Sequence, residues 1–158
     1  MRSACLVDTN VLVYAYDPTN AAKQGRAATV LAVLGDRGLG MLSPQILGEF
    51  FVVVTRRIPK PLTIADAERS VTNYLRSWTI CDLTGWTVLE AVMGVERHRL
   101  SYWDSLVWAT AKLNQIPVVL SEDFVDGQMI EGIRFLDPFR SGFDVHSLVH
   151  PSGPVTHP

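Results

Sequence analysis

Four carboxylates far apart in the chain, Asp8, Glu49, Asp104 and Asp123, stand where local sequence can aim them at one place. Asp8 ends the apolar run Ala4-Cys5-Leu6-Val7, and Asp123 follows Val118-Val119-Leu120 by three residues. Ligands of open α/β sheets bind at the carboxyl ends of the strands, so these two acids share a crevice if their strands are neighbours. Each also fits a plainer part, as a turn residue or a helix cap. Glu49 falls inside the helical stripe Ile46, Phe50, Val53 and Val54. An ionised carboxylate there is costly unless it is paired or binds a metal; the plainer reading is a glutamate at the stripe's edge that reaches water. Asp104, in Ser101-Tyr102-Trp103-Asp104, lies in the first turn of a helix, where the dipole alone favours an acid.

Gathered in one crevice, such acids repel one another and shift their protonation. A hard divalent cation relieves this, since Mg2+ or Mn2+ takes oxygen ligands from a few carboxylates, waters and a substrate phosphate. Such an ion polarises a phosphoryl group, makes water more acidic and steadies the leaving oxygen. No HxxxH and no Cys/His cluster favours zinc. His98, His146, His150 and His157 read as surface residues, three of them near the C-terminus. Cys5 and Cys81 sit in apolar strand-like runs and read as reduced core thiols.

The elements that must position these acids alternate along the chain. Patterning predicts strands at 4–7, 41–42, 79–83, 117–120 and 132–136. It predicts helices at 11–17, 21–34, 44–57, 63–76, 87–97 and 101–113, with Ser43 as an N-cap and Pro44 at the first helical position. The run at 50–54 is β-prone and pulls against its helix. Alternation of this kind implies an α/β fold whose parallel sheet is covered on both faces. With 158 residues the chain has the size of one domain, and 47% hydrophobic residues argue against disorder. A net charge of −2 gives no general pull toward nucleic acid or acidic membranes, so any polyanionic partner must be held by local cations or by metal. No signal-peptide core fits the N-terminus, and no uncharged apolar run approaches the roughly 20 residues of a membrane span, which predicts a cytoplasmic protein. Residues 140–158, with Pro151, Pro154 and Pro158, are expected to form a C-terminal tail with little structure that adds no layer to the core.

Four segments occur in this order: Val7-Asp8-Thr9-Asn10-Val11-Leu12, Leu42-Ser43-Pro44-Gln45-Ile46-Leu47-Gly48-Glu49-Phe50, Leu100-Ser101-Tyr102-Trp103-Asp104 and Leu120-Ser121-Glu122-Asp123. Together they resemble the PIN-domain toxins of VapBC toxin–antitoxin modules over about residues 4–139. The resemblance implies a three-layer α/β/α Rossmann-like PIN domain at 1–139 and a Mg2+- or Mn2+-dependent endoribonuclease. It also implies symmetric homodimers and silencing by a small VapB-type antitoxin. Asp8, Glu49, Asp104 and Asp123 match the family's acids in order, as catalytic residues and metal ligands. Asp126 sits where many members carry a further acid and joins them as a metal ligand, while Thr9 or Asn10 would hydrogen-bond within the first-strand site. Leu136-Asp137-Pro138-Phe139 resembles the family's closing Asn-Pro-Phe, with aspartate for asparagine.

The remaining signals are less specific. Arg56, Arg57 and Lys60 end one helix, and Arg97 and Arg99 precede Asp104; they are phosphate contacts or simply a solvated face. Tyr102, Trp103 and Trp108 stack on bases or pack in the core, the second being the commoner fate. Apolar surface on the helices at 21–34 and 46–57 suits an amphipathic antitoxin helix. Two alternative readings are an RNA-processing PIN nuclease without an antitoxin and a catalytically silent α/β interaction module. A phosphoacceptor receiver is disfavoured, because Asp8 lacks an acidic neighbour and no lysine follows Leu120 directly.

Overall fold

The computed structural model describes residues 3–150. Its two central strands, β1 (Cys5–Val7) and β4 (Val118–Leu120), are buried at every position, as in a parallel sheet covered on both faces. They pair in parallel, with Cys5 opposite Val118 and Val7 opposite Leu120. β2 (Gly40–Leu42) and β3 (Thr79–Ile80) extend the sheet on one side, β6 (Ile133–Leu136) and β5 (Met129–Ile130) on the other, in the order β3-β2-β1-β4-β6-β5. The sheet is parallel except at β5, which runs antiparallel to β6. Two residues are too few for an alternating pattern to register in sequence. The turn that makes the hairpin is nonetheless visible in the backbone, since Glu131 and Gly132 both take positive φ, 47° and 85°.

The helices are α1 (Thr9–Tyr14), α2 (Ala21–Arg37), α3 (Pro44–Arg56), α4 (Ile64–Ser77), α5 (Gly85–His98) and α6 (Tyr102–Leu113). α1 starts two residues earlier than its apolar pattern suggests, because Asp8 itself caps it. The β-prone stretch at 50–54 is helical. Ile46, Phe50 and Val54 are fully buried along one face of α3. Each such burial contributes about 1.5–3 kcal/mol, against propensity differences of a few tenths of a kcal/mol per residue. Ser43 Oγ accepts from Ile46 N at 3.3 Å, which fixes where α3 begins.

α5 and α6 pack closely through Gly94. A Cβ there would lie 2.3 Å from Ser105 Oγ and 2.5 Å from the Trp108 ring, so only glycine allows this approach. α6, which carries Asp104, is thereby fixed on its face of the sheet.

Residues 140–150 correct the expectation of an unstructured tail. α7 (His146–Val149) seats Val149 in the core beside Val145, and Arg26 of α2 donates to the carbonyls of Pro138 and Phe143 at 3.3 and 3.1 Å. The contact joins segments more than 100 residues apart, which local pattern does not reveal. The three prolines and His157 lie outside the described residues. Among the described residues no helix is long and apolar enough to cross a membrane. Cys5 and Cys81 are free, buried thiols, and burial pushes that of Cys5 up to about 12.

Candidate active site

From the adjacent strands β1 and β4 the chain leaves toward opposite edges of the sheet, to β2 and to β6. Such a switch point opens a crevice at the carboxyl ends of the two strands. Asp8 is the first residue past β1 and Ser121 the first past β4. Asp8 N donates to Leu120 O at 2.9 Å. Its carboxylate accepts from Thr9 N at 2.8 Å on Oδ1 and from Ser121 Oγ at 2.7 Å on Oδ2. Asn10 spans the rest: its Nδ2 donates to Ser121 Oγ and to Asp123 Oδ2, both at 3.1 Å, and its Oδ1 accepts from Glu122 N at 3.3 Å. Ser121 Oγ also accepts from Asp123 N at 3.1 Å, so the two strand ends form one polar unit.

The other two acids arrive on helix starts. α3 follows β2 directly and therefore begins at the same edge, with Glu49 in its second turn. Glu49 Oε2 accepts from Thr9 Oγ1 at 2.8 Å and Oε1 from Gln45 Nε2 at 3.0 Å. Gln45 Nε2 also donates to the Trp103 carbonyl at 3.2 Å, tying α3 to the start of α6. Four residues, 114–117, connect α6 to β4, so α6 ends at the amino edge of the sheet and begins, with Asp104, at the carboxyl edge. Ser101 Oγ accepts from Asp104 N at 3.1 Å. Asp104 is thus the acid of the first turn of α6 that Ser101 caps, and its plainer helix-start part and its candidate site part call for the same placement.

The charges of Asp123 and Glu49 reach both Asp8 and Asp104. Burial pushes the Asp8 carboxyl up to about 6; hydrogen bonds from Ser121 and Thr9 oppose the rise, and the charges of Asp123 and Glu49 add to it. The Asp104 carboxyl is also raised, first by burial, against the Ser101 hydroxyl and with the charges of Asp123 and Glu49. Among the described residues none of the four acids forms an ion pair. Lys23, which reaches this region, is held by Glu122 at 2.6 Å and by the Tyr14 hydroxyl at 3.2 Å.

Asp126 is not brought to this crevice. Its Oδ1 accepts from Asp137 N at 2.9 Å and its Oδ2 lies 3.8 Å from Arg140, so it braces the turn after β6. Three residues past Asp123 the chain has already turned away toward β5. Ser121 and Gln45 are the site residues that motif reading left without a role. Position alone, directly after a central strand and one turn before Glu49, was the available signal.

A groove of about 940 Å3 runs from Glu49 and Asp123 along α3 to Arg57. Among the described residues no three His, Cys, Asp or Glu side chains stand already closed around a metal position. The donor set nevertheless fits a hard divalent ion, being all carboxylate oxygen, close enough to couple electrically, and without a cation. Mg2+ commonly keeps several waters and takes only one or two carboxylates directly, so three converging protein ligands are not required.

The sequence matches the PIN domain family over residues 5–125. No curated protein matches it. Among solved structures it is similar to VapC20 of Mycobacterium tuberculosis, a sarcin-ricin loop cleaving toxin, at 19% identity and TM-score 0.59 over 73% of this chain and 87% of that one. A toxin–antitoxin complex from Klebsiella pneumoniae matches at 18% identity and TM-score 0.63, over 85% and 98%. VapBC2 from Rickettsia felis, bound to promoter DNA, matches at 14% and 0.58, over 84% and 96%. At such identities the likeness is one of fold.

Proposed function

The chain belongs to the PIN domain family, and from that premise we propose that it is a metal-dependent endoribonuclease acting as the toxin of a toxin–antitoxin module. The observation that carries this reading is the set of four carboxylates without a cation at the topological switch point. Asp8, Glu49, Asp104 and Asp123 would hold Mg2+ or Mn2+. When bound, such an ion supplies charge stabilisation at the scissile phosphoryl group and a more acidic water. The chain's own groups do the positioning. Thr9 and Gln45 orient Glu49, Ser121 orients Asp8, and Asn10 fixes Asp123 relative to Asp8.

The partner reading follows from the toxin–antitoxin complexes among the similar structures. A small VapB-type antitoxin encoded beside this chain would keep it silent in the cytoplasm. A homodimer is in keeping with the apolar side chains that α5 exposes, Trp86, Leu89 and Met93 at 76%, 48% and 41%.

The test is direct. Purified protein is incubated with total RNA in Mg2+, in Mn2+ and in EDTA, and the products are mapped at their ends. Cleavage that EDTA abolishes is expected; intact RNA under every metal condition overturns the proposal. Expression alone should arrest growth, and co-expression of the adjacent small gene should restore it. Harmless expression with cleavage intact in vitro would favour a processing nuclease without an antitoxin.

A further inference from the structure

Two tryptophans on one helix meet opposite fates. Trp108 is fully buried and donates Nε1–H to Ile130 O at 3.2 Å, whereas Trp103 is 61% exposed and lines the groove that Glu49 and Asp123 also line. A large aromatic left in water one residue from a site acid has no packing role to account for it. Nor is it loosely placed. Its carbonyl is tied to Gln45, and Tyr102 meets its ring edge-on at 5.0 Å and 72°.

The far end of the groove carries the opposite kind of group. Arg57 caps α3, its N–H donating to Val53 O at 2.8 Å, and its side chain lines the groove without an ion pair among the described residues. Val53, Ile58 and Leu83 line the groove as well, giving it an apolar wall. Gln45 and Arg57 are twelve residues apart on α3, about 18 Å at 1.5 Å per residue, several times the ~3.4 Å rise of one stacked nucleotide.

We propose that Trp103 and Arg57 make this groove a track that positions the RNA substrate, Trp103 stacking on a base beside the acids and Arg57 holding a backbone phosphate several nucleotides away. The inference rests on the ribonuclease reading above. An aromatic face at one end and an unpaired guanidinium at the other match a polymer that presents π-faces and phosphates together. Duplex RNA hides its bases in the stack and offers Trp103 nothing to cover.

Binding is read by fluorescence anisotropy of a short labelled single-stranded RNA, with Mg2+, in an Asp104→Asn background that suppresses cleavage. Trp103→Ala should weaken binding by about tenfold or more, and Trp103→Phe should keep most of it. Arg57→Ala should weaken binding and reduce its salt slope by about 1. A duplex of the same sequence should bind weakly and ignore Trp103→Ala. Stabilisation by Mn2+ in a thermal-shift assay, read in Trp103→Ala alone, should match that of the wild type. Unchanged single-strand affinity in Trp103→Ala overturns the track, and so does loss of the Mn2+ effect, which would make Trp103 a support of the acid site. Loss of antitoxin binding with RNA binding intact overturns it in favour of a protein partner. These outcomes leave the ribonuclease reading standing if the wild type still cleaves RNA; a wild type that neither binds nor cleaves RNA removes both.

Discussion

Between α5, α6 and the β5–β6 turn, Glu90 and Glu131 meet Arg97, His98 and Lys112, whereas in the crevice Asp8, Glu49, Asp104 and Asp123 meet no cation among the described residues. In the first region Arg97 reaches Glu90 at 3.0 Å, His98 reaches Glu131 at 2.7 Å, and Lys112 touches both glutamates. His98 first, then Lys112 and Arg97, hold the Glu131 carboxyl below its ordinary value. In the second region burial and neighbouring acids push the Asp8 carboxyl the other way. One cluster of charges is balanced by cations of the fold, whereas the other, among the described residues, meets only neutral hydrogen-bond donors. On the function proposed above, the first is kept for structure and the second for chemistry.

The largest expected effect lies in activity. Asp8→Asn removes a carboxylate while keeping its shape. A metal-held phosphoryl group owes several kcal/mol to its ion, so at ~1.4 kcal/mol per factor of ten cleavage should fall about a hundredfold or more. Glu131→Gln should leave single-turnover cleavage of the same RNA unchanged. Similar losses in both variants would erase the division between the two clusters.

The next effect sharpens the crevice. Ser121→Ala deprives Asp8 of its 2.7 Å donor, and Asn10→Ala unties Asp123. Groups that orient metal ligands typically matter by about 10–100-fold. A Mn2+ titration followed by cleavage rate should show that loss chiefly as a higher metal requirement, which added Mn2+ partly recovers. A rate loss that metal cannot recover would place Ser121 and Asn10 outside the ligand support.

The third effect is on stability, and its sign is the test. The Asp8 carboxyl rises from 3.8 to about 6 on folding, so its charge is a penalty in the metal-free fold. That penalty is absent below about pH 4 and complete above about pH 6, where it amounts to roughly 3 kcal/mol at most. Metal-free Asp8→Asn should therefore melt several degrees higher than wild type at pH 7.5, and the gap should close at pH 4. Lower stability of the variant at pH 7.5 would mean that Asp8 acts chiefly as the cap of α1.

How legible this site was in the sequence depends on where each residue's partners lie. Asp8 and Asp123 were legible because each breaks or follows a buried run, and Glu49 because it interrupts an apolar stripe. Asp104 was legible only as a helix-start acid, since that part and its candidate site part call for the same placement. Ser121 was not, because its meaning depends on β1 lying beside β4, a pairing between residues 113 apart. The same distance problem hid the seating of α7 against α2. Asp126 misled because spacing to Asp123 counts residues and not the turn between them. Trp103 and Trp108 differ by five positions, and only the packing of α5 on α6 decides which is core.

The smallest expected effect completes the contrast, because it carries the opposite sign. Glu131 titrates below its unfolded value of 4.5, so its contribution to stability is present above that pH and is lost as pH falls through the folded value. The pairs it makes are a third or so exposed, and solvent screens them, so the whole contribution is under about 1 kcal/mol. Glu131→Gln should lower the melting temperature by about 1–3 °C at pH 7, and the deficit should shrink below pH 4.5 and at high salt. In metal-free buffer at pH 7.5, then, removing a carboxylate from the crevice raises the melting temperature and removing one from the network lowers it. If calorimetry finds the same sign for Asp8→Asn and Glu131→Gln, the crevice is only another structural charge cluster, and the case for a metal site loses its physical basis.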